Sequence, residues 1–320
     1  MNNLPLVSVL TPCYNSGDYL ESCLQSVSAQ DYPHVEHVVQ DGGSNDDTLD
    51  ILRRYAGRVD WISEPDKGQS DALNKALQRC RGDIIAVLNA DDEFLPHAAS
   101  WAATQLAAYP DAAMIYGDQY NISPEGQVIS ECPGPDPYDF HKVLCVEQVP
   151  PAQAAFIRRE CYEAVGWYVD VTRKTCPDYE MWVRLGRKFP MKHVPGFVAR
   201  YRIHPESQGC QAPWVEEMVK SKREVMDRVF DDPQAPADLR RLRRRAYGGL
   251  LWWSADVYLI QGDVRRGLAR AAQALAVYPS LKQWRRLPGY LWVSQYVARH
   301  RRSLWALSLE AARKRKAAEC

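Results

Sequence analysis

A chain of 320 residues with 46% hydrophobic and 25% charged side chains is long enough for one large α/β domain and a smaller appendage, and its composition excludes wholesale disorder, a collagenous repeat and a disulfide scaffold. The formal charge of zero is unevenly spread: residues 236–320 carry 18 Lys and Arg against 5 Asp and Glu, and the rest of the chain 22 against 35. A basic end interspersed with Trp and Tyr suits an anionic membrane surface, and no nucleic-acid-binding module accompanies it, so nucleic acid is not expected as a partner.

In chain order, Leu6–Leu10, Val35–Val39, Val59–Ile62 and Ile84–Leu88 are apolar or β-branched runs of strand length, which predicts strands buried on both faces of a parallel sheet. Between them the stripes Leu20/Cys23/Leu24/Val27, Leu49/Ile51/Leu52/Tyr55 and Ala72/Leu73/Ala76/Leu77 predict three amphipathic helices. Ser44 followed by Asp47 resembles a capping arrangement for the second of these. A helix over Ala98–Ala108 follows, and then Pro and Gly clusters end the alternation, so a mixed sheet is expected from there, with a helix near Tyr179–Lys188 and a strand at Lys192–Ile203. From Pro213 the pattern is helical, with breaks at 231–236, Gly262, Pro279 and Pro288; Tyr258–Asp263 with Ala271–Pro279 resembles one tetratricopeptide-type hairpin. The domain boundary is expected near residue 231, giving 1–230 as an α/β domain and 231–320 as a basic helical one.

Nine scattered cysteines without a CxxC pair favour reduced thiols and a cytoplasmic protein. Met1–Thr11 lacks the pattern of a secretory signal, and the most apolar stretch, Gly248–Ile260, is interrupted by Asp256 and falls short of the roughly 18 residues of a membrane span. A membrane contact is therefore expected to be peripheral, on the inner face, through Arg299, Arg301, Arg302 and the 313–316 basic run alongside Trp292, Tyr296 and Trp305.

In an open parallel sheet, ligands bind at the carboxyl ends of the strands. Polar clusters stand there after each of the four runs: Thr11-Pro12-Cys13-Tyr14-Asn15, Asp41-Gly42-Gly43-Ser44, Glu64-Pro65-Asp66-Lys67-Gly68 and Asn89-Ala90-Asp91-Asp92. Tyr14 offers an aromatic face and Asn15 hydrogen-bonding capacity, while Asp41 can accept a base N–H or a ribose hydroxyl. Two carboxylates and a carboxamide after the fourth strand are hard oxygen ligands of the kind that suits Mg2+ or Mn2+. His34-x2-His37 lacks companion ligands and is read as structural.

These four clusters, with the flanking Val7-Ser8-Val9-Leu10 and Gln69-Ser70-Asp71-Ala72-Leu73-Asn74-Lys75, resemble the family 2 glycosyltransferases of GT-A fold over residues 5–95. The resemblance implies a mostly parallel, Rossmann-like sheet flanked by helices and followed by a helical C-terminal region. It also implies an inverting transfer of a sugar from a nucleotide diphosphate sugar, a UDP-sugar above all, to a hydroxyl of a saccharide or lipid-linked acceptor. The nucleotide-sugar set it implies is Thr11, Pro12, Tyr14, Asn15, Asp41, Asp66, Lys67, Gly68, Asn89, Ala90, Asp91 and Arg202. Within that set Asp41 would hold the base, and Asp91 would bind Mn2+ or Mg2+; Asn89 stands where many members have Asp. Pro177-Asp178-Tyr179-Glu180 resembles the family's acidic segment, with Asp178 as the general base. Arg200-Tyr201-Arg202-Ile203-His204 resembles the segment that reaches the metal and diphosphate through Arg202 or His204, so His204 joins Asp91 in the metal set; Gln153 and Glu180 would face the acceptor.

Two readings of other classes make different predictions. A sugar nucleotidyltransferase needs a glycine-rich loop after its first strand, and Thr11–Gly17 holds one glycine. A non-catalytic membrane-surface protein with a decayed nucleotide pocket would turn over no nucleotide sugar. Within the family, a processive synthase would add membrane spans and a Gln-x-x-Arg-Trp motif, which the sequence does not contain, so transfer of a single sugar is expected.

Overall fold

The computed structural model describes residues 4–167, 169–172, 175–204, 207 and 212–279. The first half alternates strand and helix: β1 (Val7–Cys13), α1 (Leu20–Ser28), β2 (Val35–Asp41), α2 (Thr48–Arg54), β3 (Asp60–Ser63), α3 (Gln69–Arg79) and β4 (Ile84–Val87). Next come β5 (Glu93–Phe94), α4 (Ala98–Ala108), β6 (Met114–Ile122), β7 (Val128–Cys132), α5 (Phe140–Leu144), a 3-10 turn at Ala152–Ala154, β8 (Ala155–Arg158), α6 (Arg159–Ala164), α7 (Pro177–Gly186) and β9 (Met191–Arg202). The helices α8 (Ala212–Phe230), α9 (Ala237–Arg241), α10 (Arg243–Ile260) and α11 (Val264–Val277) complete the described chain.

The sheet runs β3-β2-β1-β4-β8-β6-β9-β5, with β7 paired to β6. Pairing is parallel among β3, β2, β1 and β4, and antiparallel where β8 joins β4 and β6. In chain order the mixed part begins with β5, which precedes α4 and pairs antiparallel with β9, one element earlier than the loss of alternation predicts. All seven residues of β1 are buried, and the predicted stripes of α1 and α3 are the buried faces of those helices. Each buried Leu, Val or Phe removed from water contributes about 1.5–3 kcal/mol, and Phe94, Phe156, Ile115 and Val198 pack into one buried cluster in this way while Leu20, Leu24, Val39 and Leu52 pack into another. At the amino ends of the strands, away from the polar loops, Ser8 donates to Glu36 at 2.6 Å and receives the Gly82 N–H at 2.7 Å.

Two expectations are corrected. β3 is an edge strand whose residues alternate between exposed and half-buried, with Ile62 40% exposed, because nothing pairs its outer side. Nor does Ser44 cap α2: its hydroxyl is drawn to the Asp41 carboxylate, and Thr48 N–H is served instead by Asp46 at 3.0 Å.

His37 occupies the core beneath β1, 5% exposed, with Nε2 2.9 Å from the Thr11 hydroxyl and Nδ1 without a partner. Burial pushes its pKa down from 6.5 to about 3. The folded value lies below the unfolded one, so the unfolded state takes up the proton first. The stabilisation is complete above about pH 6.5 and is lost as pH falls toward 3, with a slope of about 1.4 kcal/mol per pH unit. The urea midpoint should therefore fall between pH 6.5 and 4, and His37→Gln should flatten that fall; equal slopes in the two proteins would refute the assignment.

The chain divides into two compact units, the first made of the described residues up to Ile122 with Ser130–Tyr138 and Pro150–Arg202, the second of Ser123–Ile129, Asp139–Val149 and the described residues from Ile203 onward. This division follows contact density, whereas the boundary read at 231 follows composition. Within the second unit α10 and α11 form the helical hairpin, packed through Trp252, Ala255, Leu259, Ala271 and Ala274. Gly267 lets the two helices approach, since a Cβ there would lie 2.6 Å from Leu259 Cγ. No helix among the described residues is long and apolar enough to cross a membrane. Trp292, Tyr296, Arg299, Arg301, Arg302, Trp305 and the 313–316 run lie outside the described residues.

Candidate active site

The carboxyl ends of β1 to β4 carry the four polar loops, and hydrogen bonds stitch neighbouring loops together. Asn15 donates its backbone N–H to Ser44 Oγ at 2.7 Å and accepts Asn45 N–H on its own Oδ1 at 3.0 Å. Tyr14, just past β1, is 60% exposed, a face open for stacking. Thr11, Pro12 and Ala90 are buried in the framework, the Thr11 hydroxyl being engaged by His37, so their side chains belong to the floor of the rim.

Asp41 ends β2 with no exposure at all. Its Oδ2 accepts Gly43 N–H and Ser44 N–H at 3.0 Å each and the Ser63 hydroxyl at 2.6 Å, and its Oδ1 accepts the Ser44 hydroxyl. The carboxylate thus ties the ends of β2 and β3 together, which is a larger structural task than the sequence implies. Asp41→Ala strands several buried donors, each costing about 1–3 kcal/mol, so a loss of several kcal/mol is expected in urea denaturation; a loss under about 1 kcal/mol would show that water takes over the task.

Asp66 lies against the same turn: a Cβ on Gly42 would stand 2.6 Å from its Oδ2, so the backbone at 42 passes directly under the carboxylate. Burial raises the Asp66 pKa, and the Gly68 N–H, donated at 2.7 Å, counters it. Gly68 holds φ +112 at the N-cap of α3, a left-handed conformation that admits glycine. Lys67 is exposed beside it, its backbone N–H bonded to Asp71. Gln69, the first residue of α3, donates to Asn89 Oδ1 at 2.9 Å, joining the third loop to the fourth.

In the fourth loop Asn89 and Asp91 are half-buried and Asp92 is fully buried. Asp92 accepts the backbone N–H of Arg202 at 2.9 Å and the Asn89 amide at 3.3 Å. Burial, then the neighbouring Asp91 charge, push its pKa well up, and these donors pull it back. Arg202 is 3% exposed: its Nε donates to the Asp91 carbonyl at 2.9 Å, its Nη2 pairs with Glu93, and its guanidinium lies 5.0 Å from the Tyr19 ring centroid. It therefore braces the loop from behind. The sequence offers Asp92 with Asp91 as an oxygen ligand, whereas the structure buries it as a fastener of the loop; the parts played by Gln69 and Glu93 were missed.

Asp178 is half-buried in the first turn of α7, after Pro177. That helix is anchored through Trp182, whose indole N–H donates to the Pro150 carbonyl at 3.3 Å, and so to the turn that carries Gln153. Asn74 of α3, also missed, pins the approach to α7: its amide both donates to the Val169 carbonyl and accepts Val169 N–H, at 2.8 Å each. Glu180 is buried against Arg184 at 2.8 Å, a framework ion pair within α7. His204 falls in the second unit, 7% exposed, with its backbone N–H 3.4 Å from Ser207 Oγ. Among the described residues no three or more His, Cys, Asp or Glu side chains form a metal cage.

The sequence model described as glycosyl transferase family 2 matches residues 8–166, the span that holds all four loops and Gln153. The chain is 30% identical over 210 residues to a chondroitin synthase of Escherichia coli, covering 65% of this chain and 30% of that one. It thus spans about a third of that relative's length. Among solved structures, the mannosyltransferase PcManGT of Pyrobaculum calidifontis in complex with GDP-Man and Mn2+ superposes with a TM-score of 0.62 at 20% identity, over 97% of this chain and 86% of that one. S. aureus TarS 1-349 in complex with UDP-GlcNAc gives 0.54 at 16% identity, over 88% and 92%. By this match, and by a fold common to these neighbours, the chain belongs to glycosyl transferase family 2, an enzyme family of the glycosyltransferase class built on the GT-A fold.

Proposed function

We propose that the chain transfers one sugar, with inversion, from a nucleotide diphosphate sugar to a hydroxyl of a saccharide or lipid-linked acceptor. The observation that carries this reading is the joining of four strand-end loops into one polar rim, from exposed Tyr14 to the Asn89–Asp92 turn, in the family whose relatives are named as glycosyltransferases and synthases. A UDP-sugar is the favoured donor: TarS is solved with UDP-GlcNAc, and Tyr14 with the Asn15 and Asp66 turns supplies a stacking face and polar groups suited to a base and ribose.

Transfer is a single displacement. Asp178 accepts the proton of the acceptor hydroxyl as that oxygen bonds to the anomeric carbon, and the bond from that carbon to the diphosphate oxygen breaks. The donor set fits a divalent ion of the Mg2+ or Mn2+ type, which is held by one or two carboxylates together with substrate phosphates and water: Asp91 supplies the carboxylate, while Asn89 and Asp92 are engaged with each other and with Gln69 and Arg202. Bound there, such an ion would offset the charge of the departing diphosphate. PcManGT was solved with Mn2+. Gln153 faces the acceptor, and the basic residues after 279 bring the enzyme to an anionic inner membrane surface from the cytoplasmic side.

Incubating the purified chain with UDP-, GDP- and dTDP-sugars, with and without Mn2+, tests the reading. Release of nucleoside diphosphate that rises with Mn2+ and with added acceptor supports it. No turnover of any donor favours the non-catalytic alternative. Co-sedimentation with anionic liposomes at low and high salt tests the membrane part, and no binding at either salt rejects it.

A further inference from the structure

We propose that Asn74 is a positioning residue of the transfer: without touching substrate, it fixes where α7, and with it Asp178, stands relative to the donor loops. The inference rests on the reading of Asp178 as the general base. Asn74 lies in the middle of α3, 8% exposed, and its amide serves the backbone of a single residue, donating to the Val169 carbonyl and accepting Val169 N–H at 2.8 Å each. Val169 is itself buried. Asparagine is among the weaker helix formers, and a buried amide without partners is costly, so a polar side chain at this place is accounted for by what it holds. A carboxamide offers a donor and an acceptor side by side, and here they occupy both backbone polar groups of Val169, as a neighbouring strand would.

Hydrogen bonds connect this clasp to both halves of the site. On the donor side, α3 holds the third loop and reaches the fourth: Asp71 accepts Lys67 N–H at 3.1 Å, Lys75 Nζ donates to the Pro65 carbonyl at 2.9 Å and pairs with Glu64 at 2.8 Å, and Gln69 donates to Asn89 at 2.9 Å. On the other side, Arg184 of α7 donates to the Val165 carbonyl at 3.1 Å, and Lys188, just past that helix, donates to the Ala164 carbonyl at 2.7 Å. Val169 follows Val165 by four residues, so α7 grips the start of this segment and Asn74 ties its continuation to α3. Asp178, in the first turn of α7, is thereby referred to the same helix that holds the nucleotide turn and Asn89. Such a reference matters in a single displacement, where a misplacement of about 1 Å can cost ~10²-fold in rate.

The test is Asn74→Leu, which nearly keeps the size of the side chain and removes both bonds to Val169. In steady-state kinetics with the best donor and acceptor, kcat is expected to fall by about tenfold to 10²-fold. UDP affinity, read by calorimetry, should stay within about threefold of wild type, because the bonds that are lost go to Val169 and not to a nucleotide loop. Combined with Asp178→Asn the substitution should cost little more: kcat of the double variant is expected within about threefold of Asp178→Asn alone, since a base that has been removed cannot also be misplaced. A merely structural loss would multiply with that of Asp178→Asn instead. Asn74→Ala, which leaves room for a water against the Val169 groups, takes the same measurements with the same expectations if Asn74→Leu does not fold. The proposal is overturned if the variant has the kcat of wild type, if UDP affinity falls in step with kcat, or if the two losses multiply. Asp178→Asn with undiminished kcat would remove the base reading and this inference with it, whereas a large loss in Asp178→Asn beside wild-type kcat in the Asn74 variant overturns this inference alone. A wild-type chain that neither binds UDP nor transfers a sugar overturns the transferase reading itself.

Discussion

Asp178→Asn is expected to lower kcat by ~10²- to 10⁴-fold, the range that a positioned general base contributes, with donor affinity little changed. The substitution keeps the size of the side chain and its place in the first turn of α7, and it removes only the ability to take a proton. Because Asp178 is half-buried, with the hydrophobic side of its helix carried by Tyr179, Met181, Trp182 and Leu185, the fold should be unaffected and the melting temperature close to that of wild type. Nucleoside diphosphate release, measured with saturating donor and acceptor, reads kcat; UDP titration reads the donor side. A kcat within threefold of wild type would move the role of base to another group.

The second large effect is at Asp91. Asp91→Ala should lower kcat/KM on the order of 10²- to 10³-fold, the scale on which removal of one group that stabilises developing charge is felt. It should also abolish any strengthening of UDP binding by Mn2+. The second readout separates a ligand from a framework residue, since loss of packing would weaken UDP binding equally with and without the ion. UDP affinity that still rises with Mn2+ in Asp91→Ala would assign the ion to other residues. Asp92, one position on, is expected to behave differently, because its oxygens are taken by Arg202 N–H and the Asn89 amide.

Much of the architecture is legible in the residues themselves. Val7–Leu10, broken only by Ser8, and Ile84–Val87 are apolar because each lies in the middle of the sheet, with helices on both faces. The stripe Leu20/Cys23/Leu24/Val27 repeats at the period of a helix because one face of α1 packs on that sheet. Val59–Ile62 looked the same and proved to be an edge, since a strand's apolar content does not state how many neighbours it has. Ser44 was misread for a related reason: a capping residue and a carboxylate's partner are chemically identical until the distance to Asp41 is known.

What the sequence determined by itself is the local part: the alternation of strands and helices, the strand-end positions of Tyr14, Asp41, Asp66 and Asp91, and the membership in a family that those clusters announce. Periodicity and strand-end placement depend on near neighbours along the chain, so a single sequence contains them. Only the tertiary structure decided which of the polar side chains are buried fasteners and which face outward: Asp41 and Asp92 have no exposed surface, and Tyr14 is 60% exposed. The physical reason is that burial and hydrogen-bond satisfaction are set by partners as distant as 110 residues along the chain, as between Arg202 and Asp92, and no local pattern encodes such a pairing.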